Sequence, residues 1–148
     1  MGKRNRLASI TLVVLVGVGL CLLFGVPSTL AQKTKGKTRA AQTKYLMRGI
    51  NGPNCAALAK LLKGEPADDK AWDTVACHAS LLNEMSYLLM DDGRCPDKAW
   101  AEAAKTLRGC SAKVLEAAKD KNLEAARAAF KNLTGACAAC HKVHREKT

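Results

Sequence analysis

Cys137-Ala138-Ala139-Cys140-His141 constrains this chain more than any other stretch. Two thiols three positions apart on a helix share one face, so both can add across the vinyl groups of one porphyrin edge. The residue that follows then carries an imidazole to the metal as axial ligand. C-x-x-C-H is accordingly the attachment signature of a c-type haem. On that reading Cys137 and Cys140 are the thioether anchors of one covalent haem c, and His141 is the iron ligand. Two other chemistries use a C-x-x-C pair. A redox dithiol usually opens a helix beside a βαβ unit, and no strand pattern surrounds this one. A zinc site needs a second paired set of ligands, which the sequence does not offer.

The first residues point to export. Lys3, Arg4 and Arg6 precede an apolar run from Leu7 to about Val26, followed by Pro27-Ser28-Thr29-Leu30-Ala31. A charged head, an apolar middle and a small-residue exit make residues 1–31 a signal peptide cleaved after Ala31. The same run could instead be kept as a membrane tether, since about 18–20 apolar residues span a bilayer. Either route exports the domain, and covalent haem attachment suits the periplasm, where disulfides are also permitted. Residues 32–43 hold no large apolar residue and no acid, and read as a basic tether. Removing residues 1–31 takes away three of the 24 Lys and Arg and none of the 13 acids, leaving a net charge of +8. That charge suits an acidic redox partner or an anionic membrane surface. Nucleic acid is not expected, because aromatic residues are few and export removes the usual targets.

Over 44–148 the pattern is helical throughout, with apolar residues at three- and four-residue steps. A first helix over about 40–63 carries Met47, Ile50, Ala57, Leu58 and Leu61, and Gly49, Gly52 and Pro53 predict a kink or break in it. A second, 68–91, buries Trp72, Val75, Ala79, Leu82 and Leu89 behind Asp68 and Asp69. A third, 97–119, follows Pro96-Asp97 with Trp100, Ala103, Leu107, Cys110, Val114 and Ala117 on one stripe. A fourth, 122–146, starts at Asn122 and runs Leu123, Ala126, Phe130, Leu133, Cys137, His141 and His144 down one face. Four such helices joined by short loops predict an all-α, antiparallel up-down four-helix bundle.

Leu123-Glu-Ala-Ala-Arg-Ala-Ala-Phe130, then Cys137-Ala-Ala-Cys-His141 and Arg145, resembles the last helix of cytochromes c′. Those are periplasmic four-helix-bundle haem proteins. The resemblance is carried by residues 122–146; over the first three helices it rests on their order and length. It implies roles for Cys137, Cys140, His141 and Arg145 at the haem, and an open iron face walled by an apolar residue of the first helix. It also implies binding of small gases such as nitric oxide or carbon monoxide, and homodimers are common in the family. Where the family commonly has an aromatic before that Arg, this chain has His144. Where it has an Arg-Gln pair for the propionates, this chain reads Lys44-Tyr45.

Counting along antiparallel helices from loop centres near 65–66, 94 and 120–121 levels Met47 with Glu84, Ala104 and Cys137, with Met85 one residue away. Met47 is the expected wall over the iron, and Met47 or Met85 as sixth ligand is the alternative. His78 levels with residue 131, ten residues from His141, or about 15 Å at 1.5 Å per residue. His144 shares a helix with His141 and cannot cover the opposite haem face. The Gly49–Asn54 stretch lies beside that face, where glycines let a backbone approach a flat ligand, or simply kink the helix. The same counting places Cys55, Cys77 and Cys110 in one layer, so one disulfide involving Cys77 is expected at most, with Cys95 apart.

Three functions compete on these residues. A six-coordinate haem makes an electron carrier docking an acidic partner. A five-coordinate haem makes a binding protein for small gases. A peroxidase-type enzyme needs an acid–base pair over the iron, usually with His, and no His is placed to serve.

Overall fold

Three polar side chains set where the long helices begin. In the computed structural model, which describes residues 36–145, Asp68 Oδ1 accepts the Ala71 amide at 2.7 Å and Asp97 Oδ1 the Trp100 amide at 2.9 Å. Asn122 Oδ1 accepts the Ala125 amide at 3.0 Å. Each bond satisfies one amide that a helix start leaves bare, and each stabilises by about 1 kcal/mol. The helices behind these caps are α3 (Asp69–Leu88), α4 (Lys98–Lys119) and α5 (Leu123–His144). Helix α3 stops short of the expected residue 91 because Asp92 and Gly93 turn the chain at φ of 59° and 77°.

The first helical stretch is a composite. It begins as α1 (Thr43–Leu46), widens into a π-helical segment (Met47–Asn51) and continues as α2 (Gly52–Leu61). Pro53 has no amide proton to give the Gly49 carbonyl, so the regular ladder cannot run through. The Gly52 amide instead reaches back five residues to the Met47 carbonyl. Asn54 Nδ2 donates to the Ile50 carbonyl at 2.7 Å, and His78 Nδ1 meets Asn54 Oδ1 at 2.7 Å. A Cβ at Gly52 would stand 3.3 Å from the Met47 carbonyl oxygen, which favours glycine at this wide turn. The expected kink is thus a π turn.

Among the described residues there is no strand, and no helix is long and apolar enough to cross a membrane. The four helical stretches share one core, with Leu58, Trp72, Val75, Leu82, Val114 and Leu133 deeply buried. Helix α4 packs along both α3 and α5, while α2 packs on α3 and meets α5 only sparsely. One such meeting is at Arg127, whose Nε and Nη2 donate to the Leu62 and Lys63 carbonyls at 2.8 and 2.9 Å.

Part of the basic segment is fastened down. The Lys37 amide donates to the Asp92 carbonyl at 2.8 Å, and the Thr38 amide and hydroxyl donate to Asp92 Oδ1 at 2.9 and 3.0 Å. The Arg39 amide donates to Asp92 Oδ2 at 3.0 Å, and buried Arg94 donates through Nη1 to the Ala41 carbonyl at 2.8 Å. Composition alone pointed to a free tether; these backbone bonds hold residues 37–41 against the α3–α4 turn. The signal or anchor read over 1–31, the start of the tether (32–35) and residues 146–148 lie outside the described residues.

Candidate functional site

Because α5 stands off from the π segment beyond Arg127, a cleft of about 460 Å³ opens between them. Cys137, Cys140, His141 and Arg145 line it from α5. Met47, Asn51, Gly52 and Cys55 line it from the first stretch, and Lys44 and Arg48 stand at its edge. Cys137, Cys140, His141, Arg145 and Met47, singled out from the sequence, therefore meet in one place. Behind them lies a void of about 20 Å³ reached by Met47, Asn51, Leu89 and Trp100.

Trp100 and His144 form the cleft's inner wall. The Trp100 indole Nε1 donates to the Leu89 carbonyl at 2.8 Å, tying the start of α4 to the end of α3. His144, 2% exposed, meets the Trp100 ring edge-on at 5.2 Å between centroids. Its Nε2 is 3.4 Å from Asp97 Oδ1. The helix-capping Asp97 thus also faces His144, and an imidazole occupies the ring position next to Arg145.

His141 is half-buried at the end of α5. Burial, and then the nearby Arg145 guanidinium, hold it below the usual histidine range, so its neutral imidazole keeps a lone pair to offer. The thiols differ from one another. Cys55 hydrogen-bonds to Cys137, which keeps the proton on Cys55 and holds the Cys137 thiol below its ordinary value. Burial pushes Cys140 up to about 11, and the charges of Cys137 and Asp97 add to the effect.

Two expectations need correction. Met85, 1% exposed, lies in the core and lines neither cavity, so it is a packing residue. The shared layer of Cys55, Cys77 and Cys110 brings no pair of thiols together: Cys55 faces Cys137, Cys77 is exposed, and the six described cysteines are free thiols. Met47 lines both cavities together with Cys137, and the inner one with Ala104 as well, as counting along the helices expects.

His78 lies outside the cleft, engaged with Asn54. Among the described residues no three His, Cys, Asp or Glu side chains converge to hold a metal ion. No motif marks Arg48 for the cleft, while Asn51 enters only as part of the Gly49–Asn54 stretch and Cys55 only in a cysteine layer. With Lys44 and Met47 they follow three- and four-residue steps along one helix face, the signal that could have grouped them. No established protein family matches the chain, and neither does any curated protein or solved structure.

Proposed function

We propose that this chain is an exported c-type cytochrome of the cytochrome c′ kind, an antiparallel up-down bundle holding one haem c. Cys137 and Cys140 would be the covalent anchors and His141 the axial ligand. The observation that carries the reading is that both thiols and the imidazole line one cleft, between α5 and the first helical stretch. Its volume falls within the roughly 300–1,000 Å³ of small-molecule and cofactor sites. Lys44, Arg48 and Arg145 line it as well, and such cations suit the two carboxylates of a haem.

In attachment, each Cys sulfur would bond to a vinyl carbon and its proton would pass to the neighbouring carbon, an addition with no net oxidation. The lowered Cys137 thiol supplies thiolate, the nucleophilic form, more readily than Cys140. The group supplies, when bound, a one-electron iron couple and an iron face that accepts diatomic gases. His141 would hold the metal from α5, and Met47 would wall the opposite side. The reading is therefore gas binding, with electron transfer to an acidic partner favoured by the positive charge. No residue is assigned an enzymatic role, since an acid–base pair over the metal is what peroxidase chemistry requires.

A second reading is an electron carrier with Met47 as sixth ligand, favoured by its place in the same cleft as His141. Visible spectra of the reduced protein with and without carbon monoxide separate the two. A high-spin reduced spectrum that shifts at once with carbon monoxide, in wild type and Met47→Ala alike, supports the open face. A low-spin spectrum that collapses to high-spin in Met47→Ala supports ligation by Met47.

A further inference from the structure

The buried wall opposite α5 carries a polar group with no partner. Asn51 is 8% exposed, and its Oδ1 is fully buried without a hydrogen bond. Buried side-chain polar atoms are paired in the large majority of cases, so this one asks for a reason. Bracing the π segment is not that reason. Asn54, three residues on, does that work by donating to the Ile50 carbonyl and meeting His78. Asn51 instead lines both the main cleft and the small void behind it, between Met47 and Cys55. Both anchor cysteines and His141 line that same void with Asn51. π turns of this type recur at functional sites because the extra residue redirects side chains out of the regular ladder.

We infer that Asn51 is the hydrogen-bonding group this cleft presents to a diatomic gas held on the side opposite His141. The inference rests on the haem reading above. A carboxamide has an acceptor end and a donor end, and half a turn about its Cβ–Cγ bond exchanges them. Its Nδ2 can therefore donate to the outer atom of a bound gas, and the low polarity of Met47 and the Trp100 ring nearby strengthens that bond. An apolar wall, by contrast, would sort gases by size alone. Asn51 adds a preference for ligands whose outer atom carries partial negative charge.

Carbon monoxide on the reduced, haem-loaded protein is the probe, read by the infrared C–O stretch and by the dissociation rate of nitric oxide. A donor to the outer oxygen lowers the stretch. Asn51→Leu should move it to higher wavenumber and speed nitric oxide dissociation up to about tenfold, the effect of losing one hydrogen bond. Asn51→Gln, which keeps the carboxamide, should stay nearer the wild-type frequency. Should the leucine variant fail to load haem, Asn51→Ala makes the same comparison. An unchanged stretch in haem-loaded Asn51→Leu or Asn51→Ala overturns the inference while leaving the haem reading intact. A wild-type protein with no covalent haem, seen as loss of all colour on acid–acetone extraction, overturns both.

Discussion

Cys55 on α2 hydrogen-bonds to Cys137 on α5, so the first anchor of the C-x-x-C-H motif has a third thiol as its neighbour. The bond joins two helical stretches that otherwise meet sparsely, at the mouth of the cleft they enclose. It also divides the acidity of the cluster: Cys137 is held low, Cys55 is held high, and Cys140 is pushed up to about 11.

That division predicts an order of reactivity in haem-free protein. The thiolate is the reactive form, so a lowered thiol reaches full reactivity at lower pH. At neutral pH iodoacetamide should label Cys137 ahead of Cys140 and Cys55, as read by peptide mass spectrometry. Cys55→Ala removes the stabilising hydrogen bond, and the pH profile of Cys137 labelling should then move upward. Labelling of Cys55 before Cys137 would show the donor and acceptor to be reversed.

The α4–α5 corner carries a residue in a glycine's place. Lys121 sits at φ 53°, with its amide on the Ala118 carbonyl and the Asn122 amide on the Ala117 carbonyl, the Schellman arrangement. Lys121→Gly and Lys121→Ala both lose the exposed contact from Lys121 Nζ to Asp69 Oδ1 at 2.7 Å. They differ in the Cβ, which costs roughly 1–2 kcal/mol in the left-handed region. The greater freedom of unfolded glycine offsets part of that. The glycine variant should be the more stable by about 1 kcal/mol in urea unfolding. Equal stabilities would mean that the turn adjusts around the side chain.

Much of this architecture is written in short-range chemistry. Asp68, Asp97 and Asn122 announce three helices because a cap needs a side-chain oxygen just before an apolar stripe. The C-x-x-C-H spacing likewise brings Cys137, Cys140 and His141 to one cleft, since all three share a helix. Relations between helices were less legible. Gly49, Gly52 and Pro53 announce an interruption, but whether it becomes a kink or a wider turn depends on Asn54 and His78 closing it from outside. Cys55 stands level with Cys77, as the Asn54–His78 bond implies, but Cys77 faces outward and Cys55 meets Cys137 on another helix, a contact that no periodicity reveals. The docking of residues 37–41 was invisible for a similar reason. It is made by backbone amides meeting one carboxylate.

Asp92 is that carboxylate. Loss of water pushes its pKa up, but hydrogen bonds from Thr38 and Arg39, helped by Arg94, outweigh this and hold it below the usual range. A carboxyl lowered on folding contributes stability above the unfolded value of about 3.9, and the contribution is lost as pH falls through the lower folded value. Amide exchange at Thr38 and Arg39 should accordingly lose protection in that acid window. Asp92→Ala should remove the protection at neutral pH and speed tryptic cleavage after Lys37 and Arg39, with helix content unchanged. Protection that survives Asp92→Ala would mean that Arg94 and the Ala41 carbonyl suffice to hold the segment.

The central claim is covalent attachment at Cys137 and Cys140, and intact-mass spectrometry after acid–acetone extraction tests it most directly. The protein is to be produced with a cytochrome c assembly system, alongside Cys140→Ala and Cys137→Ala/Cys140→Ala. Wild type should carry the mass of one haem through extraction, Cys140→Ala should carry it through a single thioether, and the double variant should carry none. Haem that survives extraction on the double variant, or its absence from the wild type, would contradict the account.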